Sequence, residues 1–294
     1  MDLFSISQLQ QFSGIKAHTI RIWEQRYNAL HPNRSEGNTR YYDNSQLRRL
    51  LNIVSLMDSD YKVSQLCAMT DKNLFTLIND QLKTHSIVRD EAEYFITQLL
   101  AAGMSYDEPG FDKIFSKCLE RMDMKDGYTK VIYPLLERIG LMWSTDTMPP
   151  AREHFMSNII RQKLVSAIND LPAPASSKSS WLLFLPENEF HEIGLLFAHY
   201  LIRKAGRKVY YLGSNVPFET LAQAVKEIQP GNFLFFLVHY DVPENVQDYL
   251  NSLTKTFNKT RINLSGNVKL INQLKLGRQI QWKKSVQELE DSLV

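Results

Sequence analysis

At 294 residues the chain exceeds what one hydrophobic core comfortably organises, and two or three domains are expected. Its 44% hydrophobic and 22% charged residues are those of a soluble globular protein, and a formal net charge of +2 excludes a chain that binds polyanions along its whole length. No apolar run nears the eighteen or so residues of a bilayer span, the first residues do not read as a secretory leader, and the two cysteines, Cys67 and Cys118, exclude a disulfide framework or a zinc site, so a cytoplasmic protein is expected.

The first elements are short. A helix begins near Ser5 or Ser7 and is broken at Ser13-Gly14. Residues 16–27 carry Ile20, Trp23 and Tyr27 at spacings of three and four, which is one helix face, and Pro32 ends it. Residues 33–42 are polar, contain Gly37 and close on Arg40-Tyr41-Tyr42, as a turn between two short strands does. Residues 44–57 form an amphipathic helix with Leu47, Leu50, Leu51, Val54 and Met57 inward. A helix over 63–69 and another running to Gln81 come next. Between Ile15 and Arg49 seven Lys/Arg face three acids, an excess of +4 with His18 and His31 in addition. Such local excess on a balanced chain is a footprint for phosphates.

Residues 86–171 read as helix throughout, with helices over 90–103, 109–122, 125–143 and 150–170, the last opened by Pro149-Pro150; four antiparallel helices make a bundle. Residues 171–180 are a Pro/Ser linker. Beyond it strands (181–185, 208–212, 232–239, 261–264, 279–282) alternate with helices (191–204, 218–228, 244–257, 284–293), the pattern of a doubly wound parallel sheet of flavodoxin-like type. The expected class is thus α plus α/β, with domains over 1–75, 86–171 and 180–294.

The run Ser5-Ile6-Ser7-Gln8-Leu9, Ser13-Gly14-Ile15, Thr19-Ile20-Arg21-Ile22-Trp23-Glu24, Tyr27, Leu30-His31-Pro32-Asn33-Arg34 and Gly37-Asn38-Thr39-Arg40-Tyr41-Tyr42 resembles the MerR family of bacterial regulators over residues 4–75. The resemblance implies a winged helix-turn-helix that binds double-stranded DNA as a dimer. His18, Thr19 and Arg21 stand at the start of the second helix, where a recognition helix meets base edges and phosphates. Arg34, Asn38, Arg40 and Tyr41 stand on the wing. Trp23 and Tyr27 are expected in the core, and Arg26 and Arg48 are candidate partners of Glu24 and Asp43.

Two further constellations are Trp143 with Glu153-His154 ten positions on, and Glu189-Phe190-His191-Glu192-Ile193-Gly194 directly after the first strand of the alternating region. Together they resemble the cobalamin-binding module of MerR-type photoreceptors, over residues 86–294. The resemblance implies that Trp143, Glu153 and His154 lie over the upper corrin face and that His191 is the lower axial cobalt ligand, with Gly194 and Gly266 also at the cofactor. Neutral imidazole suits cobalt, and Glu189 would fix or tune it from behind. Where the family has Ser-x-Leu after the third strand this chain reads His239-Tyr240-Asp241, and where it has Gly-Gly after the fourth, Gly266-Asn267. Ser144 replaces the histidine that light-sensing members carry after the cap tryptophan. The expected function is a non-enzymatic, DNA-binding regulator, dimeric or tetrameric and without a membrane partner, whose C-terminal module senses cobalamin. The alternatives are a regulator whose last module has lost cobalamin and serves oligomerisation or protein contact, and a corrinoid carrier for methyl transfer.

Overall fold

The computed structural model describes residues 3–34, 38–57, 61–74, 76–77, 91–144, 149–174, 176–238 and 243–293. The chain separates into two compact units, Met1–Ile159 and Ile160–Val294.

In the first unit, helix α1 (Ile6–Ser13) starts at Ser5 in a capping box with Gln8 and stops at Gly14, whose φ of +72° only glycine adopts without strain. Helix α2 (Ala17–Tyr27) ends on left-handed Asn28. Strands β1 (Asn33–Arg34) and β2 (Arg40–Tyr41) pair antiparallel, and Phe4 bridges Tyr42 beside them. Helix α3 (Asn44–Ser55) is capped by Asp43, and α4 (Val63–Ala68) comes after it. Phe4, Phe12, Ile20, Trp23, Tyr42, Leu47 and Leu50 are all buried, each worth roughly 1.5–3 kcal/mol if fully removed from water. Helix α3 also buries Ile53 and Leu56, on its other side from the stripe expected, because α5 (Glu91–Met104) packs there; Gln98 of α5 donates to Ser55 at 2.6 Å in that contact. Arg49 ties α3 to its neighbours on both sides, donating to the carbonyl of Ala29 just beyond α2 and to those of Cys67 and Met69 at the end of α4. Cys67 and Cys118 are free and buried.

Helix α6 (Glu108–Arg121) succeeds α5. The helix expected over 125–143 is interrupted: α7 (Met124–Gly127) passes into a wider π turn, Tyr128–Ile132, before α8 (Tyr133–Ser144). Pro134 is the cause, since it has no N–H to offer the carbonyl four residues back, and the Tyr133 N–H reaches back five residues to Tyr128 instead. Helix α9 (Pro150–Asn169) completes the helical set, and the boundary between the two units falls within it.

The second unit is built on five parallel strands: β3 (Ser176–Pro186), β4 (Arg207–Val216), β5 (Asn232–Leu237), β6 (Arg261–Gly266) and β7 (Ile280–Trp282), in the order β4-β3-β5-β6-β7. Between them run α10 (Ile193–Lys204), α11 (Phe218–Ile228), α12 (Pro243–Thr256) and α13 (Val268–Ile271), with α14 (Val286–Asp291) last. Strands β3 and β5 are the near-continuous apolar runs of a sheet covered on both faces. Phe184 stacks on Phe235 at 5.5 Å and meets Phe233 edge-on, and Val246, Leu250 and Leu253 of α12 close over them. Strand β3 begins at Ser176, inside the expected linker, where Ser176 pairs with Arg207; among the described residues of that linker, 171–174 lack regular structure. Helix α13 has no counterpart among the expected elements, and Asn267 makes it by accepting from the Lys269 and Leu270 N–H groups.

Because the chain leaves β3 first to one side and then to the other, the sheet changes winding direction between β3 and β5. Ligands of open α/β sheets bind outside the carboxyl ends at such a point.

Candidate functional site

The exposed face of the head carries the residues singled out from sequence. His18 and Arg21 are exposed on the first turns of α2, and Thr19 is half-buried with its hydroxyl 3.4 Å from His18 Nδ1. On the wing, Arg34 and Asn38 are exposed and hydrogen-bonded to each other at 2.5 Å, and Tyr41 is half-buried. Arg40 is three-quarters covered, with its Nε 3.4 Å from Glu24, a side chain only 6% exposed. The Tyr42 hydroxyl donates to the same carboxylate, and burial together with that bond pushes the phenol well above its ordinary range. Glu24 therefore pins the wing to the recognition helix. The expected pairing of Arg26 and Arg48 with Glu24 and Asp43 is corrected: Arg40 takes Glu24, while Asp43 is spent on Ser45 and on the Gln46 N–H.

In the second unit Glu189 has no exposed surface. Its Oε1 accepts from the Phe190 and His191 N–H groups at 3.0 and 3.1 Å and lies 2.6 Å from His191 Nδ1. Its Oε2 accepts from the Val238 N–H at 2.8 Å, and its carbonyl accepts from Asn215 at 3.1 Å. One residue thus gathers the carboxyl ends of β3, β4 and β5 at the switch point. His191 lies in the loop ahead of α10, not in the helix, with its side chain 56% exposed. With Nδ1 held by the carboxylate, Nε2 is the nitrogen that would meet a metal. Phe190 and Val268, just after the ends of β3 and β6, are exposed apolar side chains at this same end of the sheet.

The family of MerR helix-turn-helix regulatory proteins matches residues 4–72, and the B12 binding domain matches residues 93–166. The head is a MerR-family DNA-binding domain, and a B12-binding module lies C-terminal to it. Two curated relatives extend that likeness along most of this chain. The HTH-type transcriptional repressor CarH of Myxococcus xanthus is 28% identical over 86% of this chain and 83% of its own length. The HTH-type transcriptional repressor CarA of the same organism is 27% identical over 83% of this chain and 80% of its own. Among solved structures, the monomethylamine corrinoid protein of Methanosarcina barkeri aligns over 66% of this chain and 94% of that one, at 12% identity and a TM-score of 0.49.

Within the B12-binding helices, Glu153 and His154 sit on the first turns of α9, with His154 Nδ1 2.6 Å from Glu153 and the histidine 71% exposed. Trp143 is on α8, and its side chain lies outside the described residues, as do His239, Tyr240 and Asp241. Gly194 has ordinary helical backbone, and a Cβ there would come within 3.1 Å of the Phe236 ring, so it is small for packing. Gly266 is required for both reasons: φ is +129°, and a Cβ would fall 2.1 Å from the Leu237 carbonyl oxygen. Among the described residues no group of three or more His, Cys, Asp or Glu is placed to hold a metal ion. A corrinoid asks for one axial donor only, and His191 backed by Glu189 is of that kind. No helix among the described residues is long and apolar enough to cross a membrane.

Sequence reading missed a network behind the histidine. Glu192 accepts from the Tyr211 hydroxyl at 2.8 Å and faces Arg161 of α9 at 3.5 Å. His199 stacks on Tyr211 at 5.1 Å, and burial, with Arg203 adding to it, pushes the imidazole down to about 4. Each of these residues is ordinary alone; only the alignment of α10 against β4 assembles them.

Proposed function

We propose that the chain is a non-enzymatic transcriptional regulator that binds duplex DNA through its MerR head as a dimer or higher oligomer, and that senses cobalamin with His191 as the axial ligand. The observation that carries the reading is the His191–Glu189 pair, 2.6 Å apart at the switch point of a sheet that comes after a B12-binding helical domain. Cobalamin would supply a cobalt ion able to accept one imidazole nitrogen. The chain supplies the rest. Glu189 fixes the ring and leaves Nε2 facing outward, Phe190 gives an apolar surface beside it, and Trp143, Glu153 and His154 are the proposed residues for the opposite face. On the head, His18, Thr19 and Arg21 are the proposed base and phosphate contacts, with Arg34, Asn38, Arg40 and Tyr41 flanking. Repression is the sign of regulation we assign, after the two Myxococcus xanthus relatives. Regulation requires that cobalamin-bound and free forms differ in oligomeric state or DNA affinity, because an effector acts only through differential affinity for two states.

A second reading keeps the regulator and gives the last module a purely protein-binding role. Asn267 favours it: this side chain stands where a second glycine is expected and is committed to capping α13. Absorption spectroscopy separates the two. The wild-type protein mixed with cobalamin should give the spectrum of a histidine–cobalt bond, and His191→Ala should lose that spectrum and most of the affinity. Equal affinity in His191→Ala removes the ligand assignment, and no binding by the wild type leaves the second reading.

A further inference from the structure

The amino ends of the strands, opposite the His191 site, hold a second feature. A polar cleft of about 410 Å³ opens there, lined by Asn232, Lys259, Thr260, Arg261, Arg278 and Gln281 among others, with no apolar or aromatic side chain and no carboxylate. Six-residue strands put it roughly 20 Å from the carboxyl ends. The surrounding sequence is unusual. Residues 249–287 contain eight Lys/Arg and no Asp or Glu, in a chain that averages one acid in about nine residues. That stretch is more basic than the head, where three acids accompany the seven cations.

Two structural explanations for these cations fail. Helices pointing their carboxyl ends toward this edge would be stabilised by positive charge, but the carbonyls behind α12 are already taken: Gln279 donates to Phe257 and Thr260 at 2.5 and 2.7 Å. Nor are the cations held by acids. Among the described residues, the side chains of Lys259, Arg261 and Arg278 make neither an ion pair nor a hydrogen bond. Lys283 next to them is pushed down by burial; Glu288 and Asp291 draw its proton on while Arg261 repels it. A solvated face ordinarily mixes both signs.

We propose that this cleft binds the phosphodiester backbone of duplex DNA, as a second contact that carries no sequence information. The chemistry selects the ligand. Small-molecule sites are mostly apolar and enclosed, and nothing here can stack a base or hold a ring. Two guanidinium forks and an ammonium in an open polar trough match phosphate oxygens. The inference rests on the DNA-binding reading of the head.

The test uses the full chain and a random-sequence duplex of about 40 base pairs, with affinity measured by fluorescence anisotropy across salt concentration. Each phosphate contact contributes about 0.9 to the slope of log affinity against log salt. The combined Lys259→Gln, Arg261→Gln and Arg278→Gln variant should lower that slope by about 2 to 3. A variant with Arg261→Lys and Arg278→Lys, charge kept, should restore most of it. Removing the same charge elsewhere on the module, by Lys204→Gln, Lys208→Gln and Lys226→Gln, should move the slope by less than about 1. An unchanged slope in the cleft variant, or an equal drop in the control, overturns the proposal while wild-type binding leaves the head's role standing. Absence of salt-dependent binding by the wild type overturns both.

Discussion

The head and the switch-point site present their functional side chains in opposite ways. On the head, His18, Arg21, Arg34 and Asn38 are exposed, with Arg34 and Asn38 bonded to each other, while Arg40, the wing cation that is mostly covered, is held by Glu24. At the switch point a single outward imidazole stands on a fully buried carboxylate that accepts from three backbone N–H groups. The difference arises from the ligands. A phosphate backbone is long, repeated and met by salt-screened charge, so contact geometry can be adjusted on arrival. A metal bond tolerates little misorientation, so the donor must be fixed beforehand.

The contrast breaks first at Glu189. Glu189→Ala leaves three N–H groups and the His191 ring without their acceptor. The second unit should lose about 4 kcal/mol of stability in urea denaturation, at about 1–3 kcal/mol for each abandoned buried group less what entering water restores. Cobalamin affinity should fall in proportion to the lost orientation. If the variant keeps wild-type stability, the carboxylate does not organise the three strand ends.

A smaller effect should appear with pH. His199 has its folded pKa at about 4, below an ordinary histidine value near 6.5. The folded state therefore binds fewer protons than the unfolded one between those values. Stability associated with the neutral ring is complete above about pH 6.5 and drains as pH falls toward 4. Allowing for the partial exposure of the ring, the loss should be about 2 kcal/mol, and His199→Phe should flatten that part of the profile. An identical acid limb in wild type and variant would assign the acid sensitivity to other groups.

The smallest expected change sharpens the contrast within the head itself. Arg40→Ala should cost about 1 kcal/mol of stability, because Glu24 loses a partner in a site that is almost closed to water, and should weaken DNA binding as well. Arg21→Ala should leave stability within about 0.5 kcal/mol and weaken DNA binding alone. Thermal melts and anisotropy on the same two variants separate these outcomes, and equal melting losses would place Arg21 in the framework of the head.

Much of the fold is legible in the chain. Period-3.6 stripes, caps and the strand–helix alternation yield the element order, and even the first cap narrows to Ser5 or Ser7, because these signals are local. The His191 loop carries its spacing openly. The features that escape a reading of sequence depend on distant strands meeting. Glu189 can be read as the residue behind His191, but its second role, gathering three strand ends, appears only when Val238 donates to it from the end of the neighbouring strand. Glu24 offers itself to any nearby arginine, and only the wing's pairing selects Arg40 over Arg26 or Arg48. Nothing local marks Gly194 as a packing glycine, because Phe236, which takes the space beside it, comes from strand β5. The π turn at Tyr128–Ile132 was within reach, since Pro134 interrupts an otherwise clean helical pattern.

The two thiols have a practical consequence. Cys67 and Cys118 are 3% and 1% exposed, and burial raises both pKa values, that of Cys118 to about 12. Only thiolate reacts readily with maleimides and iodoacetamides, so the native cysteines should stay silent during brief labelling at neutral pH. Single cysteines introduced at exposed Gln25 on the head and Lys226 on the sheet module would then take fluorophores selectively, giving a direct test of whether the distance between the two labels changes when cobalamin or DNA is added.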